Sequence, residues 1–220
     1  MSGGAGTVRA VVFDVGETLV DETRPMGEWA DWLGIPRLTF FAVLGGVIAR
    51  GEEHRRAAEI LRPNLDLRAE AARHRAERGA PWVQADDLYP DALPAIRVLK
   101  EAGYRVGIAG NQPLETEGVL ADLGIPLDLV ATSAGLGVEK PDPAFFARVA
   151  EALGLEPREI AYVGDRVDND IRPAAAAGMV AIFIRRGPWA HLQAIDGPPP
   201  DAAATIDSLL ELPEVVAGLR

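Results

Sequence analysis

Residues Val8–Val20 read VRAVVFDVGETLV, and this stretch decides how the rest of the chain is interpreted. Its first half, Val8–Phe13, is apolar and rich in valine, which is typical of a buried β-strand. The run ends abruptly at Asp14, and Gly16 then lets the chain turn sharply without steric cost. Open α/β sheets bind their ligands at the carboxyl ends of the strands, so Asp14 is a candidate site residue. Taken alone, it is better explained as a turn or helix-cap residue.

The composition limits the class of protein. A chain of 220 residues, 48% of them hydrophobic, is long enough for one α/β core and a small accessory domain. The net charge is -11, and no cluster of lysine and arginine with interleaved aromatic residues argues for a nucleic-acid or anionic-membrane partner. The absence of cysteine excludes disulfides, thiolate metal sites and cysteine nucleophiles. The first apolar run is too short for a signal peptide or a membrane span, and we expect a cytoplasmic protein.

The pattern from Asp21 to Pro90 is helical and shows no strand-like alternation. Apolar residues at helical spacing and segments rich in alanine, arginine and glutamate predict helices there. They are predicted over Met26–Leu33, Leu38–Ala49, Glu52–Leu61 and Leu65–Arg78. We therefore expect residues 21–90 to form a helical cap-like insert in a core domain made of residues 1–20 and 91–220.

An alternation of helices and strands begins at Asp91, which can cap a helix that runs to Lys100 and ends at Gly103. Strands are predicted over Tyr104–Ala109, Leu127–Ala131, Ile160–Val163 and Val180–Ile184. Helices are predicted over Leu114–Leu123, Asp142–Leu153 and Asn169–Ala177, followed by a loop over Gly187–Asp201. A last helix, interrupted near Pro213, is predicted over Asp207–Leu219. Strands alternating with helices give a parallel sheet covered on both faces. The predicted fold is a doubly wound, Rossmann-like α/β core with an inserted all-helical domain.

Charged side chains follow three of the predicted strands. Asp14 is the first, Lys140 lies in the segment GVEKPDP, and Asp165 and Asp170 lie in GDRVDND. Because the carboxyl ends of parallel strands share one edge of a sheet, these groups can meet. Carboxylates without histidine favour a hard cation such as Mg²⁺, and a lysine beside them supplies a fixed positive charge for a phosphate. Each residue alone has an ordinary explanation as a cap or loop residue, and their joint occurrence favours a site.

With these motifs, the chain resembles the haloacid dehalogenase (HAD) superfamily of hydrolases. The resemblance covers the whole chain, through FDVGETL, the helical insert, GVEKPDPAFF and YVGDRVDNDIRPAAAAGM. It implies that Asp14 is a nucleophile that forms an aspartyl phosphate and that Lys140 balances the charge on nucleophile and phosphoryl group. It also implies that Asp165 and Asp170, with Asp14 and the backbone carbonyl of Gly16, hold Mg²⁺. The insert would then be the cap that closes over the site and selects the substrate.

Two positions depart from the phosphatase pattern of that superfamily. Gly16 stands where the family has a second aspartate, the general acid and base, whose loss costs about 10²–10⁴ in rate. Gly110 stands where a serine or threonine hydroxyl binds the phosphoryl group, and loss of one such donor costs about 10²–10³. Asn111 follows and can supply an amide donor to the substrate. Glu17 is not assigned as a replacement acid, because an extended chain would point it away from the face of Asp14.

The resemblance therefore implies a Mg²⁺-dependent phosphatase acting on a small phosphorylated metabolite, with a weakened catalytic set. Two alternatives remain open. One is a catalytically impaired member that binds a phosphorylated ligand or a protein partner. The other is a metal-independent 2-haloacid dehalogenase, since dehalogenases of the superfamily also lack the second aspartate, although GDRVDND is the metal-binding form of its motif. We expect no nucleic acid and no membrane as a partner.

Overall fold

The computed structural model describes residues 7–122, 124 and 127–219. One predicted boundary, the end of a helix at Leu123, lies outside these residues, as do residues 1–6 and 220 of the predicted core domain. All statements below concern the described residues.

Six parallel strands form the central sheet, which confirms the predicted fold class. They are β1 (Ala10–Phe13), β2 (Arg105–Gly110), β3 (Leu129–Thr132), β4 (Ile160–Gly164), β5 (Val180–Ile184) and β6 (Ala204–Ile206), in the order β3-β2-β1-β4-β5-β6. In β1, Phe13 pairs with Ile108 of β2 and Val163 of β4. The strand order reverses at β1, so the carboxyl end of β1 opens into the crevice where sheets of this kind place their ligands.

Eleven helices accompany the sheet in the described part of the chain. Those between β1 and β2 are α1 (Thr23–Trp32), α2 (Arg37–Ala49), α3 (Arg56–Leu61), α4 (Leu67–Glu77) and α5 (Ala92–Glu101). The others are α6 (Glu115–Ala121), α7 (Ser133–Leu136), α8 (Pro143–Leu153), α9 (Arg172–Ala176), α10 (Gly187–Gln193) and α11 (Leu212–Gly218). A π-helical turn, Val167–Ile171, connects β4 to α9.

The sheet is buried on both faces. Along β1, Val11 and Phe13 face one apolar cluster, which includes residues of α5 and α11, while Ala10 and Val12 face a second, which includes residues of α8. This alternation follows from the two-residue repeat of a strand. Since both faces are covered, the strands read in the sequence as continuous apolar runs rather than as alternating ones.

The insert, α1–α4, is built around its own apolar cluster, to which the core helix α10 contributes Trp189. Its two ends lie side by side, because Asp21 N–H donates to the carbonyl of Asp87 at 2.8 Å and Tyr89 N–H donates to the carbonyl of Leu19 at 2.9 Å. The four predicted helices of the insert are all present. The domain boundaries proposed from the sequence, at 20/21 and 90/91, stay a prediction. No single described helix is long and apolar enough to cross a membrane, and α1 with α2 qualifies only as a pair bent by 111°.

One sequence interpretation near the C-terminus is wrong, and one strand there has no counterpart in the prediction. The predicted loop Gly187–Asp201 begins with α10, which starts at Gly187-Pro188 and buries Trp189 and Ala190. Proline is well suited to the first turn of a helix, so a Gly-Pro pair there marks a start as well as a turn. The predicted helix with a break near Pro213 is present as a 3₁₀ turn, Leu209–Glu211, followed by α11. The strand β6, which the sequence pattern does not predict, precedes them. Three residues are too few for β6 to show a periodic signal.

Candidate active site

The ammonium group of Lys140 lies between two carboxylates at the carboxyl edge of the sheet. Its Nζ is 2.6 Å from Asp14 Oδ1 and 2.5 Å from Asp170 Oδ1, and all three residues are buried. Asp14 follows β1 directly, and its N–H donates to the carbonyl of Val163 in β4 at 2.8 Å. The register of the sheet thereby sets the position of Asp14, while Asp170 comes from the π-helical turn after β4.

A third carboxylate, that of Asp165, completes the group. Carboxylate oxygens of Asp14, Asp165 and Asp170 all lie within 4.8 Å of one another. Asp165 Oδ2 is buried and has no hydrogen-bond partner, an arrangement that costs about 1–3 kcal/mol or more in a protein interior. A cation would satisfy this oxygen, and a set of donors made only of oxygen suits a hard divalent ion. The residues present therefore fit a divalent metal.

The charges of the cluster shift its acid–base equilibria. Burial and the negative charges of Asp170 and Asp14 raise the pKa of Asp165 well above its ordinary value. Burial also raises the pKa of Asp170, to about 6, although Lys140 opposes the rise. For Lys140, burial disfavours the charged form, but Asp14 and Asp170 outweigh it and raise the pKa well above the ordinary value. Three carboxylates thus share one ammonium group, and the excess of negative charge favours a cation.

Gly110 and Asn111, which the sequence analysis assigned to substrate binding, lie on either side of the end of β2. A Cβ at position 110 would lie 2.7 Å from Asp14 Oδ1 and 3.0 Å from Val15 Cγ2, so glycine leaves room for the Asp14 carboxylate. Asn111 Nδ2 donates to the carbonyl of Lys140 at 2.9 Å, and its Oδ1 accepts from Lys140 N–H at 2.8 Å. In this structure the amide of Asn111 holds the main chain of Lys140.

Glu22, a residue outside the sequence motifs, lies against Gly16. A Cβ at position 16 would be 2.8 Å from Glu22 Cδ and Oε1 and 3.1 Å from Oε2. Glu22 immediately precedes α1, the first helix of the insert. Burial, followed by the charges of Glu17 and Asp14, raises the pKa of Glu22 to about 8, while Trp82 and Arg166 act in the opposite direction. No spacing rule links positions 16 and 22, so only the folded chain shows that they meet.

Glu17 takes a supporting position. Its backbone is left-handed, with φ of 51°, which is uncommon for a residue with a side chain. Its Oε1 accepts a hydrogen bond from Glu22 N–H at 2.9 Å, and its Oε2 accepts one from the Tyr89 hydroxyl at 2.7 Å. Both carboxylate oxygens of Glu17 are therefore occupied in holding the entry and the exit of the insert.

Two aromatic rings lie beside the ammonium group of Lys140. Lys140 Nζ lies 5.4 Å from the centre of the Tyr162 ring and 5.8 Å from that of Phe145. The Tyr162 hydroxyl donates to the carbonyl of Ala109 at 2.8 Å, which fixes the ring against β2. Cations are attracted to the faces of aromatic rings, and the same rings exclude water from the ion pairs.

Parallel strands that place a carboxylate cluster and a lysine at one edge of the sheet are typical of a hydrolase site. Comparison of the chain with models of known protein families identifies its family. A family model described as haloacid dehalogenase-like hydrolase matches residues 8–178, which is more than half of the chain. The chain therefore belongs to the haloacid dehalogenase-like hydrolases.

Characterised relatives and solved structures agree with this assignment. The chain is 41% identical over 108 residues to a glyceraldehyde 3-phosphate phosphatase of Methanopyrus kandleri, covering 48% of this chain and 46% of the relative. It is 31% identical over 133 residues to a phosphoglycolate phosphatase of Nitrosococcus oceani, covering 59% and 57%. The chain thus spans about half the length of these relatives. A crystal structure of a HAD phosphatase from Thermococcus onnurineus superimposes with a TM-score of 0.61 and 25% identity, covering 96% of this chain and 99% of that one.

Proposed function

We propose that this chain is a Mg²⁺-dependent phosphatase that hydrolyses a small phosphorylated metabolite through an aspartyl-phosphate intermediate. The observation that carries the proposal is the contact of Lys140 with Asp14 inside a buried cluster of three carboxylates. The relatives named above act on phosphate esters of two- and three-carbon acids and aldehydes by their descriptions, which supports a substrate of similar size.

Asp14, Asp165 and Asp170 would hold the metal, together with the backbone carbonyl of Gly16. When bound, Mg²⁺ neutralises charge on the phosphate and so lets an anionic nucleophile approach it. The unpartnered Oδ2 of Asp165 is the structural feature that supports this assignment.

Asp14 and Lys140 have different roles in the covalent steps of the reaction. A carboxylate oxygen of Asp14 attacks phosphorus, and the bond from phosphorus to the leaving oxygen breaks. Lys140 pairs with the Asp14 carboxylate and offsets the charge that gathers around the phosphoryl group. Water then attacks phosphorus, phosphate leaves, and the Asp14 carboxylate is regenerated. Asn111 keeps Lys140 in place through its two hydrogen bonds to the main chain of that residue.

The phosphoryl group has fewer donors here than the superfamily pattern provides. Gly110 offers no hydroxyl, and the side-chain amide of Asn111 is engaged with Lys140. Removal of one such donor lowers the rate by about 10²–10³, and we expect turnover below that of members with the complete set.

The carboxylate cluster also favours a metal-dependent phosphatase over a metal-independent dehalogenase. Asp165 and Asp170 bring two further carboxylates close to the nucleophile, and one ammonium group does not balance them. One further carboxylate is enough to activate water in a metal-free reaction, whereas three carboxylates around one ammonium group favour a bound cation.

The proposal is tested by measuring phosphate release from small phosphate esters, including glyceraldehyde 3-phosphate and phosphoglycolate. Each ester is assayed with Mg²⁺ and with EDTA. We expect release only with Mg²⁺, none from Asp14→Asn, and near-normal release from Asp168→Asn. Asp168 is a suitable control because it lies in the same motif but pairs with Arg166 at the surface, with its side chain 48% exposed. Halide release from a 2-haloacid in EDTA would favour the dehalogenase, and binding of phosphate esters without turnover would favour the impaired member.

A further inference from the structure

The carboxyl group of Glu22 fills the space beside Gly16. A Cβ at position 16 would meet Glu22 Cδ and Oε1 at 2.8 Å, closer than real Cβ contacts allow. An aspartate there would place its own carboxyl group one bond beyond that Cβ, so the two carboxyl groups would compete for one volume. Gly16 is not among the glycines with positive φ, so its backbone does not require glycine. The neighbour that position 16 must accommodate is Glu22.

We propose that Glu22 is the proton donor to the leaving group, in place of the aspartate that position 16 lacks. This inference rests on the proposed phosphatase function. The carboxyl group comes from a different point in the sequence but lies where a side chain at position 16 would lie. Asp14 is among the charged groups near enough to act on it electrostatically.

The main chain of Glu22 is held by Glu17, and its carboxyl group lies beside the side chain of Trp82. Glu22 N–H donates to Glu17 Oε1 at 2.9 Å, and Glu17 is fixed in turn by the Tyr89 hydroxyl at 2.7 Å. A non-glycine residue in the left-handed region, as Glu17 is, persists where its surroundings over-determine its conformation. Within the described residues, the Glu22 carboxylate takes part in no ion pair with lysine, arginine or histidine.

The proton transfers balance over the two steps. As an oxygen of Asp14 bonds to phosphorus, the ester bond breaks and its electron pair stays on the leaving oxygen, which takes the proton of Glu22. The products are an alcohol, an aspartyl phosphate and the Glu22 carboxylate. In the second step Glu22 takes a proton from water as the water oxygen attacks phosphorus. The electron pair of the broken bond returns to Asp14, and Glu22 is again protonated. The sequence alone predicts that Gly16 lowers the rate through loss of a general acid and base, and Glu22 removes that deficit.

The experiment compares kcat/KM for an alkyl phosphate, glycerol 3-phosphate, with that for 4-nitrophenyl phosphate, in Mg²⁺. An alkoxide needs a proton to leave, whereas nitrophenolate leaves as a stable anion. For Glu22→Gln we expect a loss of about 10²–10⁴ on the alkyl ester and a much smaller loss on the aryl ester. Asp21→Asn is the control, since it removes a neighbouring charge whose carboxylate accepts from Thr23 N–H at 2.8 Å, and it should leave the ratio unchanged.

A second experiment, in which one substitution restores the activity lost through another, does not depend on the behaviour of a single variant. Glu22→Ala should lose alkyl-ester hydrolysis selectively, and Gly16→Asp added to it should restore much of that activity, because the space is then free. Unfolding temperatures show that each variant is folded. Equal loss on both esters, no loss in either Glu22 variant, or no rescue would overturn the role of Glu22 while leaving the phosphatase proposal standing. If the wild type hydrolyses neither ester nor any other phosphate ester tested, the phosphatase proposal fails, and the role of Glu22 fails with it.

Discussion

The Nζ atom of Lys140 lies 2.6 Å from Oδ1 of Asp14, although the two residues are 126 positions apart in the chain. The same atom lies 2.5 Å from Asp170, so one buried ammonium group compensates two buried carboxylates. Removing one member of such a group leaves the others charged and unpaired in a place that water does not reach. Stability and catalysis therefore depend on the same lysine.

Replacing Lys140 by methionine, which keeps the length of the side chain but removes its charge, should lower both the stability and the activity of the protein. We expect a loss of about 3–5 kcal/mol in the free energy of unfolding of the metal-free protein. Phosphate release should fall by about 10²–10³, because a fixed positive charge is lost from the reacting centre. Urea unfolding and steady-state kinetics measure the two effects. Lys100→Met is the matched control, since Lys100 pairs with Asp128 at 2.7 Å near the surface. Equal stability of the two variants would contradict the role given to Lys140.

The unpartnered Oδ2 of Asp165 leads to two effects of opposite sign. Without metal, Asp165→Asn removes a buried negative charge that Asp170 and Asp14 repel, so we expect a higher unfolding temperature than in the wild type. With Mg²⁺, the wild type should gain stability by RT ln(1 + [L]/Kd), whereas the variant should gain little. Thermal unfolding with and without Mg²⁺, and titration calorimetry, follow both effects. An unchanged response to Mg²⁺ in Asp165→Asn, and in Asp165→Asn with Asp170→Asn, would show that the ion binds elsewhere.

Asp91 connects the start of α5 to the C-terminal segment. Its carboxylate accepts hydrogen bonds from Arg186 at 3.0 and 2.6 Å, from Ser208 Oγ at 2.8 Å and from Leu209 N–H at 3.0 Å. Burial disfavours its charged form, but these donors outweigh burial and hold the pKa of Asp91 below its ordinary value of 3.8. A carboxylate with a lowered pKa stabilises the fold above its unfolded pKa, and this contribution is lost as the pH falls through the folded value.

Asp91→Asn should therefore destabilise the protein in a pH-dependent manner. We expect a loss of about 1.5–3 kcal/mol at neutral pH, typical of hydrogen bonds to a charged group. The difference from the wild type should shrink as the pH falls below 3.8. Urea unfolding at several pH values measures it. Asp207→Asn is the control, because Asp207 forms a similar pair with Arg185 but its side chain is 63% exposed, and such surface pairs contribute little. A pH-independent loss in Asp91→Asn would assign its effect to packing.

The sheet could be predicted from the sequence because its strands are buried on both faces. β5, Val180–Ile184, has the bounds predicted for it, and the runs before Asp14 and Asp165 mark β1 and β4 to within two residues. A buried strand is a local property, visible as an unbroken apolar run between turn residues. The convergence of Asp14, Lys140, Asp165 and Asp170 then follows from the parallel order of the strands.

Contacts between distant side chains could not be predicted in the same way. Asp91 stands at the start of α5 but does not cap it with its side chain, because Arg186 and Ser208 compete for its carboxylate. The sequence does not indicate the direction of the Asn111 side chain, which binds the main chain of Lys140. Glu22 lies against Gly16, and its N–H donates to Glu17 Oε1 at the entry of the insert. Each of these depends on where a loop returns, which no local pattern in the sequence encodes.

Gly110 faces the reacting carboxylate so closely that added atoms there should reduce activity. A Cβ would lie 2.7 Å from Asp14 Oδ1 and 3.0 Å from Val15 Cγ2, and the carboxylate would have to move. Gly110→Ser should therefore lower kcat/KM, by up to about 10² for a displacement near 1 Å, although the superfamily pattern has a hydroxyl here. Gly110→Ala should lower it similarly, which would assign the loss to the Cβ. Gly118→Ala in α6 is the control, because among the described residues no atom beyond its chain neighbours and the backbone of its own helix lies within 4 Å of its Cβ position. A rise in kcat/KM for Gly110→Ser would mean that Asp14 has room and that the hydroxyl serves as the missing donor.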